Sequence, residues 1–239
     1  MNLALSALDF RQIPVLLRGE PLLIRSWMER KEAGRLLFHL AVIVVGTGMF
    51  GAAMGSWRAP MQALYTAIKF PLIILLTALG NGLLNAMLAP LLGVNLGVRQ
   101  SLLAVLMSFT IASAILGAFS PVLAYLVWNT PPLVSGAQSN LSAHSLILLS
   151  ETAMIAFAGV AANMRLLQLL RELSGSKAAA RKVLLAWLAG NLLLGSQLSW
   201  IFRPFVGSPG LPVQFLRADP FHGSFFEAVL RAARHLLFP

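Results

Sequence analysis

The sequence predicts an all-α integral membrane protein, a bundle of five transmembrane helices with an amphipathic N-terminal segment and a C-terminal interfacial helix. One reason is composition: 58% of the 239 residues are hydrophobic and 11% are charged, whereas an average soluble domain has about 25% charged residues. The other is a set of five apolar runs, each near the ~20 residues with which a helix crosses a hydrocarbon core of ~30 Å. The runs are Leu36–Trp57, Phe70–Leu92, Leu102–Trp128, Ser145–Asn163 and Val183–Phe202.

The runs divide the chain into three parts: residues 1–35, a transmembrane domain at 36–203, and an outer part at 204–239. In the first part apolar residues alternate with charged ones such as Arg18 and Arg25. This pattern is typical of a segment that lies on a membrane surface. We therefore expect residues 1–35 to rest on the cytoplasmic leaflet.

Basic residues predict the orientation of the bundle. They concentrate before the first run and between the fourth and fifth runs, whereas the connection Asn129–Ala143 carries no charge. Because cytoplasmic loops carry an excess of Lys and Arg, we expect the N-terminus in the cytoplasm and the C-terminus outside, in a bacterial inner membrane. Aromatic residues at the predicted outer ends support this, since such rings favour the interface. They are Trp57, Tyr65, Tyr125, Trp128 and Trp200.

No pattern in the sequence indicates catalysis. Cysteine is absent, and the four histidines are dispersed. The sequence contains no zinc-protease motif, no nucleophile-elbow motif and no phosphate-binding loop. We therefore predict a protein that is not an enzyme and binds no cofactor or metal. The net charge of +10 sits in short segments beside the membrane, where orientation and anionic lipid explain it. Nucleic acid is not an expected partner.

Polar residues inside the runs form two predicted groups. Glu151 is the acid within a span, and Lys69 enters the second span from the same outer side. Since an unpaired charge in hydrocarbon costs about 2.5–3.5 kcal/mol, we predict that Lys69 and Glu151 form a buried pair. A proton or cation site at Glu151 remains the functional alternative. The second group consists of amides expected to bond between helices: Asn81, Asn85, Asn191 and Gln197.

Small residues in the first run predict a close helix contact. Gly51 and Gly55 form a GxxxG motif, with Gly48 beside them. Such spacing lets two helix backbones approach closely in a membrane.

The outer part carries a candidate partner surface. Glycine and proline residues within Phe205–Pro220 restrict the backbone to turns, so we expect an ordered cap folded over the outer helix ends. Ser224 and Glu227 then fit a capping box that starts a helix. Its apolar face, a docking surface for a protein partner or for the membrane, is formed by Phe221, Phe225, Phe226, Val229 and Leu236.

The second span begins with the stretch Ala67-Ile68-Lys69-Phe70-Pro71-Leu72-Ile73-Ile74-Leu75-Leu76. This stretch is similar to the second-span entry of bacterial Yip1-like proteins. With its five closely spaced spans and short loops, the membrane region resembles the Yip1-type five-helix integral membrane proteins. The resemblance implies a non-enzymatic role, since eukaryotic members act in trafficking and recruit small GTPases. That recruitment needs a cytoplasmic acidic region, which Met1–Arg35 does not supply. The motif Arg203-Pro204-Phe205-Val206-Gly207-Ser208-Pro209-Gly210 is similar to one in uncharacterised bacterial membrane proteins and implies no activity.

Two hypotheses about function follow. The first is a non-enzymatic multi-pass subunit that scaffolds or anchors a membrane assembly through its two terminal parts, with protein partners or as a homo-oligomer. The second is a small transporter or channel subunit that uses Glu151 and the buried amides. The first is favoured because polar residues inside the spans are few and scattered.

Overall fold

The computed structural model describes Ile13, Pro14, Arg18 and residues 33–94, 97–131, 139–207 and 211–227. Across these ranges there is no strand, and five long helices follow one another. All five are long and apolar enough to cross a membrane, which confirms the predicted all-α bundle of five transmembrane helices and makes the chain an integral membrane protein. Most of the amphipathic segment predicted at residues 1–35, and most of the helix predicted after Ser224, lie outside the described residues. The helices are α1 (Ala33–Ser56), α2 (Pro60–Leu91), α3 (Val98–Trp128), α4 (Ser139–Ser174) and α5 (Lys177–Ile201).

The helices extend beyond the apolar runs. Helix α2 begins at Pro60, well before Phe70, and α4 continues to Ser174, well past Asn163. An apolar run marks only the part of a helix that crosses hydrocarbon, whereas the backbone hydrogen bonds continue into the interface. At 1.5 Å per residue, the 32 residues of α2 span about 48 Å.

Short connections make the helices alternate in direction, which gives the bundle two ends. At the end that we name the cap end, α1, α3 and α5 finish while α2 and α4 begin. The opposite end is the basic end, and its described cations are Arg35, Arg99, Arg165, Arg171, Lys177, Arg181 and Lys182. In the packing, α2 contacts α3, α3 contacts α4, α4 contacts α5, and α5 contacts α2. Helix α1 packs against both α2 and α3.

Glycines set the close approach of α1 to α2. A Cβ atom at Gly51 would stand 2.6 Å from the carbonyl oxygen of Thr66, and one at Gly55 would stand 2.5 Å from that of Gln62. No side chain fits in that space, so the two backbones touch directly at the predicted GxxxG motif. The contact fixes the start of α2 beside the end of α1.

Two apolar clusters fill the bundle. The one toward the basic end contains Trp187, and the one toward the cap end contains Trp57. Both indoles are buried. The expectation of an interfacial ring is therefore wrong for Trp57, whose flat surface packs between helices. Trp128 and Tyr125 are 80% and 68% exposed at the cap end of α3, as interfacial rings would be.

Candidate functional site

The chain that follows α5 folds back onto the first turns of α2. The Nζ of Lys69 donates to the carbonyl oxygen of Pro204 at 2.8 Å. The Nε2 of Gln62 donates to the carbonyl oxygens of Pro204 (3.0 Å) and Phe205 (2.7 Å), and the Oγ1 of Thr66 donates to that of Phe205 at 2.8 Å. Residues 62, 66 and 69 share one face of α2 because side chains three and four residues apart are neighbours on a helix.

Lys69 is fully buried in this contact. Its ammonium lies 5.0 Å from the ring centroid of Phe215 and 5.9 Å from those of Tyr65 and Phe205. The rings of Tyr65 and Phe215 meet edge to face at 5.4 Å. Aromatic faces attract cations by ~0.5–2 kcal/mol, so three rings and one carbonyl hold the charge.

Further contacts hold the rest of the outer part, which we name the cap (residues 203–227). Arg58 donates from Nη2 to the carbonyl oxygen of Leu211 at 3.0 Å, and Trp200 donates from Nε1 to that of His222 at 3.2 Å. The Arg203 guanidinium lies 3.8 Å from the ring centroid of Trp200. Partial burial and the nearby charge of Arg217 lower the pKa of Arg203. The described part of the cap is therefore fixed to α2 and to the end of α5.

The far edge of the cap exposes phenylalanine side chains. Phe221, Phe225 and Phe226 are 78%, 40% and 45% exposed, and the last two rings meet edge to face at 5.7 Å. Residues 225–227 are helical, and the backbone N–H of Glu227 donates to the Oγ of Ser224 at 3.2 Å. Val229 and Leu236, predicted for the same surface, lie outside the described residues. We name the three exposed rings the aromatic edge.

Glu151 and Lys69 do not form the predicted ion pair within the described ranges. Lys69 donates to Pro204 instead, because the returning chain brings a backbone carbonyl to it. Glu151 is buried on α4, and its Oε2 has no hydrogen-bond partner among the described residues. The two residues are thus placed in separate environments.

Amides of α2 and α5 meet at a second polar location. The Nδ2 of Asn81 donates to Asn191 Oδ1 at 2.5 Å and to the carbonyl oxygen of Trp187 at 3.2 Å. Asn85, one turn further along α2, is fully buried, and neither of its amide atoms has a described partner. Gln197 is half-buried on α5, and within the described ranges no hydrogen bond reaches its side chain.

Sequence reasoning missed residues in both locations. Gln62 and Thr66 bind the cap, but they precede the second apolar run, so a search for polar residues inside the runs does not find them. Their spacing of four and three residues from one another and from Lys69 predicts three polar side chains on one face of a helix, and this pattern could have revealed them. Thr77 likewise lies one turn before Asn81 and is buried; the spacing of residues 77, 81 and 85 could have revealed a polar stripe.

Neither the geometry nor the comparisons with known proteins assign a chemistry. Over the described residues, no group of three or more His, Cys, Asp or Glu side chains could hold a metal ion. No family model, no curated protein and no solved structure matches this chain. The described residues instead show two distinctive features, the cap with its aromatic edge and the amide contact between α2 and α5.

Proposed function

We propose that this protein is a non-enzymatic membrane subunit that anchors a membrane assembly in a bacterial inner membrane, and that the aromatic edge of its cap contacts a protein partner. The observation that carries the proposal is a well-anchored cap that leaves three phenylalanine side chains exposed. Four side chains, those of Arg58, Gln62, Thr66 and Lys69, donate hydrogen bonds to backbone carbonyls of the cap. The three rings of the aromatic edge take no part in these hydrogen bonds.

Physical chemistry favours a protein partner for such an edge. Aromatic side chains are enriched at protein interfaces, and a preformed surface loses little conformational entropy when a partner binds. A fully buried phenylalanine gains roughly 1.5–3 kcal/mol relative to an exposed one. Three rings that lie close together in the sequence and are 40–78% exposed therefore offer a substantial gain to any partner that covers them.

The proposal includes the orientation of the protein in the membrane, with the basic end in the cytoplasm and the cap end outside. Seven described cations lie at or near the basic end, and the positive-inside rule places that end in the cytoplasm. The aromatic edge then faces the outside of the membrane. The partner is accordingly a membrane protein with an outer domain, a protein of the outer compartment, or a second copy of this chain.

Site-specific photo-crosslinking in native membranes tests the proposal. A photoreactive phenylalanine at Phe221 should yield a discrete crosslinked protein band, whereas one at Leu193, which is exposed on α5, should give mainly lipid adducts. Mass spectrometry of the band identifies the partner. Exclusive lipid crosslinking at Phe221, with correct insertion verified, would show that the edge is a lipid-facing lid and would refute the anchoring role of the cap.

Substitution supplies the matched control. Changing Phe221, Phe225 and Phe226 to serine should remove the partner from the natively purified complex, because the apolar contact is lost while the anchoring bonds stay. Leu211→Ser changes another exposed apolar residue of the cap and should leave the complex intact. A triple variant that retains every partner would contradict the proposal.

A further inference from the structure

Buried polar atoms without partners lie along α2 and at its contact with α5. Thr77, Asn81 and Asn85 follow one another at four-residue intervals on α2, and Asn81 reaches Trp187 and Asn191 of α5. We name these five residues the polar seam. Among the described residues, five of its side-chain atoms are buried and have no hydrogen-bond partner: Thr77 Oγ1, Asn81 Oδ1, Asn85 Nδ2, Asn85 Oδ1 and Trp187 Nε1.

Leaving these atoms unpartnered is unfavourable. An unsatisfied buried polar group costs about 1–3 kcal/mol, and within a bilayer core bulk water is not there to relieve it. Exchanging the positions of the amide oxygen and nitrogen of Asn85 would not satisfy either atom, because both lack a hydrogen-bond partner. An apolar residue of similar shape would avoid the cost entirely, so the polarity of this position calls for a partner.

The seam lies within reach of the basic end. At 1.5 Å per residue, Asn81 and Asn85 stand about 15 Å and about 9 Å before the end of α2 at Leu91. Glycines face the seam from α5: a Cβ atom at Gly190 would collide with Asn81 Oδ1, and one at Gly195 would stand 3.8 Å from Thr77 Oγ1. Backbone without side chains thus borders the polar atoms of α2.

We propose that the polar seam binds small uncharged molecules that both donate and accept hydrogen bonds. The unpartnered atoms include donors (Asn85 Nδ2 and Trp187 Nε1) and acceptors (Asn81 Oδ1 and Asn85 Oδ1), and none carries a formal charge. Water is the smallest molecule that is uncharged and both donates and accepts hydrogen bonds. A short polyol or a small amide is a larger molecule with the same properties. Threonine, asparagine and tryptophan side chains are neutral at any physiological pH, so the site needs no titrating group.

X-ray hydroxyl-radical footprinting of the unmodified protein tests the proposal, because radicals formed from bound water oxidise adjacent side chains even when these are buried. Two tryptophans provide an internal comparison. Trp57 is 8% exposed and donates from Nε1 to the carbonyl oxygen of Pro131 at 3.2 Å, whereas Trp187 is 0% exposed with its Nε1 unpartnered. Exposure alone predicts faster oxidation of Trp57. Occupancy of the seam predicts faster oxidation of Trp187.

A pair of variants locates the ligand. Asn85→Leu should remove polar contacts of the seam and lower the Trp187 oxidation rate several-fold relative to that of Trp57. Asn163→Leu replaces a half-buried asparagine on α4 that bonds to the Gly159 carbonyl oxygen and should leave the ratio unchanged. Trp187 oxidised more slowly than Trp57, with no effect of Asn85→Leu, would overturn the proposal.

Added solutes distinguish a seam that binds only water from one that also binds a small polyol or amide. Glycerol and acetamide are tested at equal concentration, and the Trp187 rate is divided by the Trp57 rate to cancel radical scavenging. A lower ratio with either solute supports a site that admits solutes, because the solute displaces water. A high ratio that neither solute changes supports a site for water alone. This test does not involve the aromatic edge, so its result is independent of the anchoring role proposed for the cap.

Discussion

The ammonium of Lys69 donates a 2.8 Å hydrogen bond to the carbonyl oxygen of Pro204, which lies 135 positions later in the chain. This bond ties the first turns of α2 to the chain that leaves α5. It also gives a buried cation a role that needs no carboxylate: three aromatic rings and one backbone oxygen surround the charge. The position of the cap, and with it the aromatic edge, depends on this contact.

Lys69→Met should loosen the cap. Methionine keeps an unbranched side chain, one heavy atom shorter, but loses the charged hydrogen bond, which is worth about 1.5–3 kcal/mol. We expect a similar decrease in the free energy of unfolding and faster protease cleavage within residues 211–227. The control Lys177→Met changes an exposed lysine at the basic end and should alter neither quantity. Unchanged cleavage in Lys69→Met would show that Gln62 and Thr66 suffice to hold the cap.

The backbone contact between α1 and α2 predicts opposite outcomes for two glycines. Gly51→Ala places a methyl group 2.6 Å from the Thr66 carbonyl oxygen, so the helices must separate, and we expect a loss of about 1–3 kcal/mol as for other overpacked sites. Gly159→Ala meets nothing within 4 Å and should be neutral or gain about 0.5–1 kcal/mol from helix propensity. Denaturant titration in detergent measures both. Equal stability of the two variants would rule out the tight crossing.

The helical fold was predictable because each span carries its own signal in about twenty consecutive residues. The partners of Lys69 were not, because the atom that binds it is a backbone carbonyl, which every residue has. Glu151, the acid expected at a comparable depth in the membrane, was a reasonable partner to predict from the sequence. Only the return of the chain after α5 reveals that a carbonyl reaches Lys69 instead.

The amides illustrate a second limit of the sequence. Their position in the spans predicted bonds between helices, and Asn81 and Asn191 make one. Which amide faces which neighbour depends on how each helix is rotated, and weakly amphipathic apolar helices do not encode that rotation strongly. Asn85 and Gln197 carry the same chemistry, yet neither bonds to another described residue.

The bond between Asn81 and Asn191 should be measurable by a double-mutant cycle. Amide hydrogen bonds between transmembrane helices contribute about 0.6 kcal/mol on average and up to about 1.7 kcal/mol. We expect the coupling energy between Asn81→Ala and Asn191→Ala to fall in that range. The pair Asn81→Ala and Gln197→Ala serves as the control and should show no coupling. Additive effects of the first pair would mean that the two amides act independently.

Glu151→Gln should leave the fold and its stability nearly unchanged. The amide has the shape of the carboxyl group and avoids the ~2.5–3.5 kcal/mol that a charge costs near the centre of a membrane. We therefore expect a change in unfolding free energy within about 0.5 kcal/mol, the scale of a substitution that disturbs no specific feature. A loss above about 2 kcal/mol would instead identify a charged carboxylate with a cationic partner, at the scale of a broken charged hydrogen bond.

Reporter fusions test the orientation on which the anchoring role depends. The cap end carries the connection between α3 and α4, which has no charged residue, while most of the described cations lie in the helices at or near the basic end. Since translocation of Lys and Arg clusters is disfavoured, alkaline phosphatase should be active when fused after Pro131 or Pro239. It should be inactive when fused after Arg99 or Gly175. The reverse pattern, with full-length insertion verified, would place the aromatic edge in the cytoplasm and require a cytoplasmic partner for it.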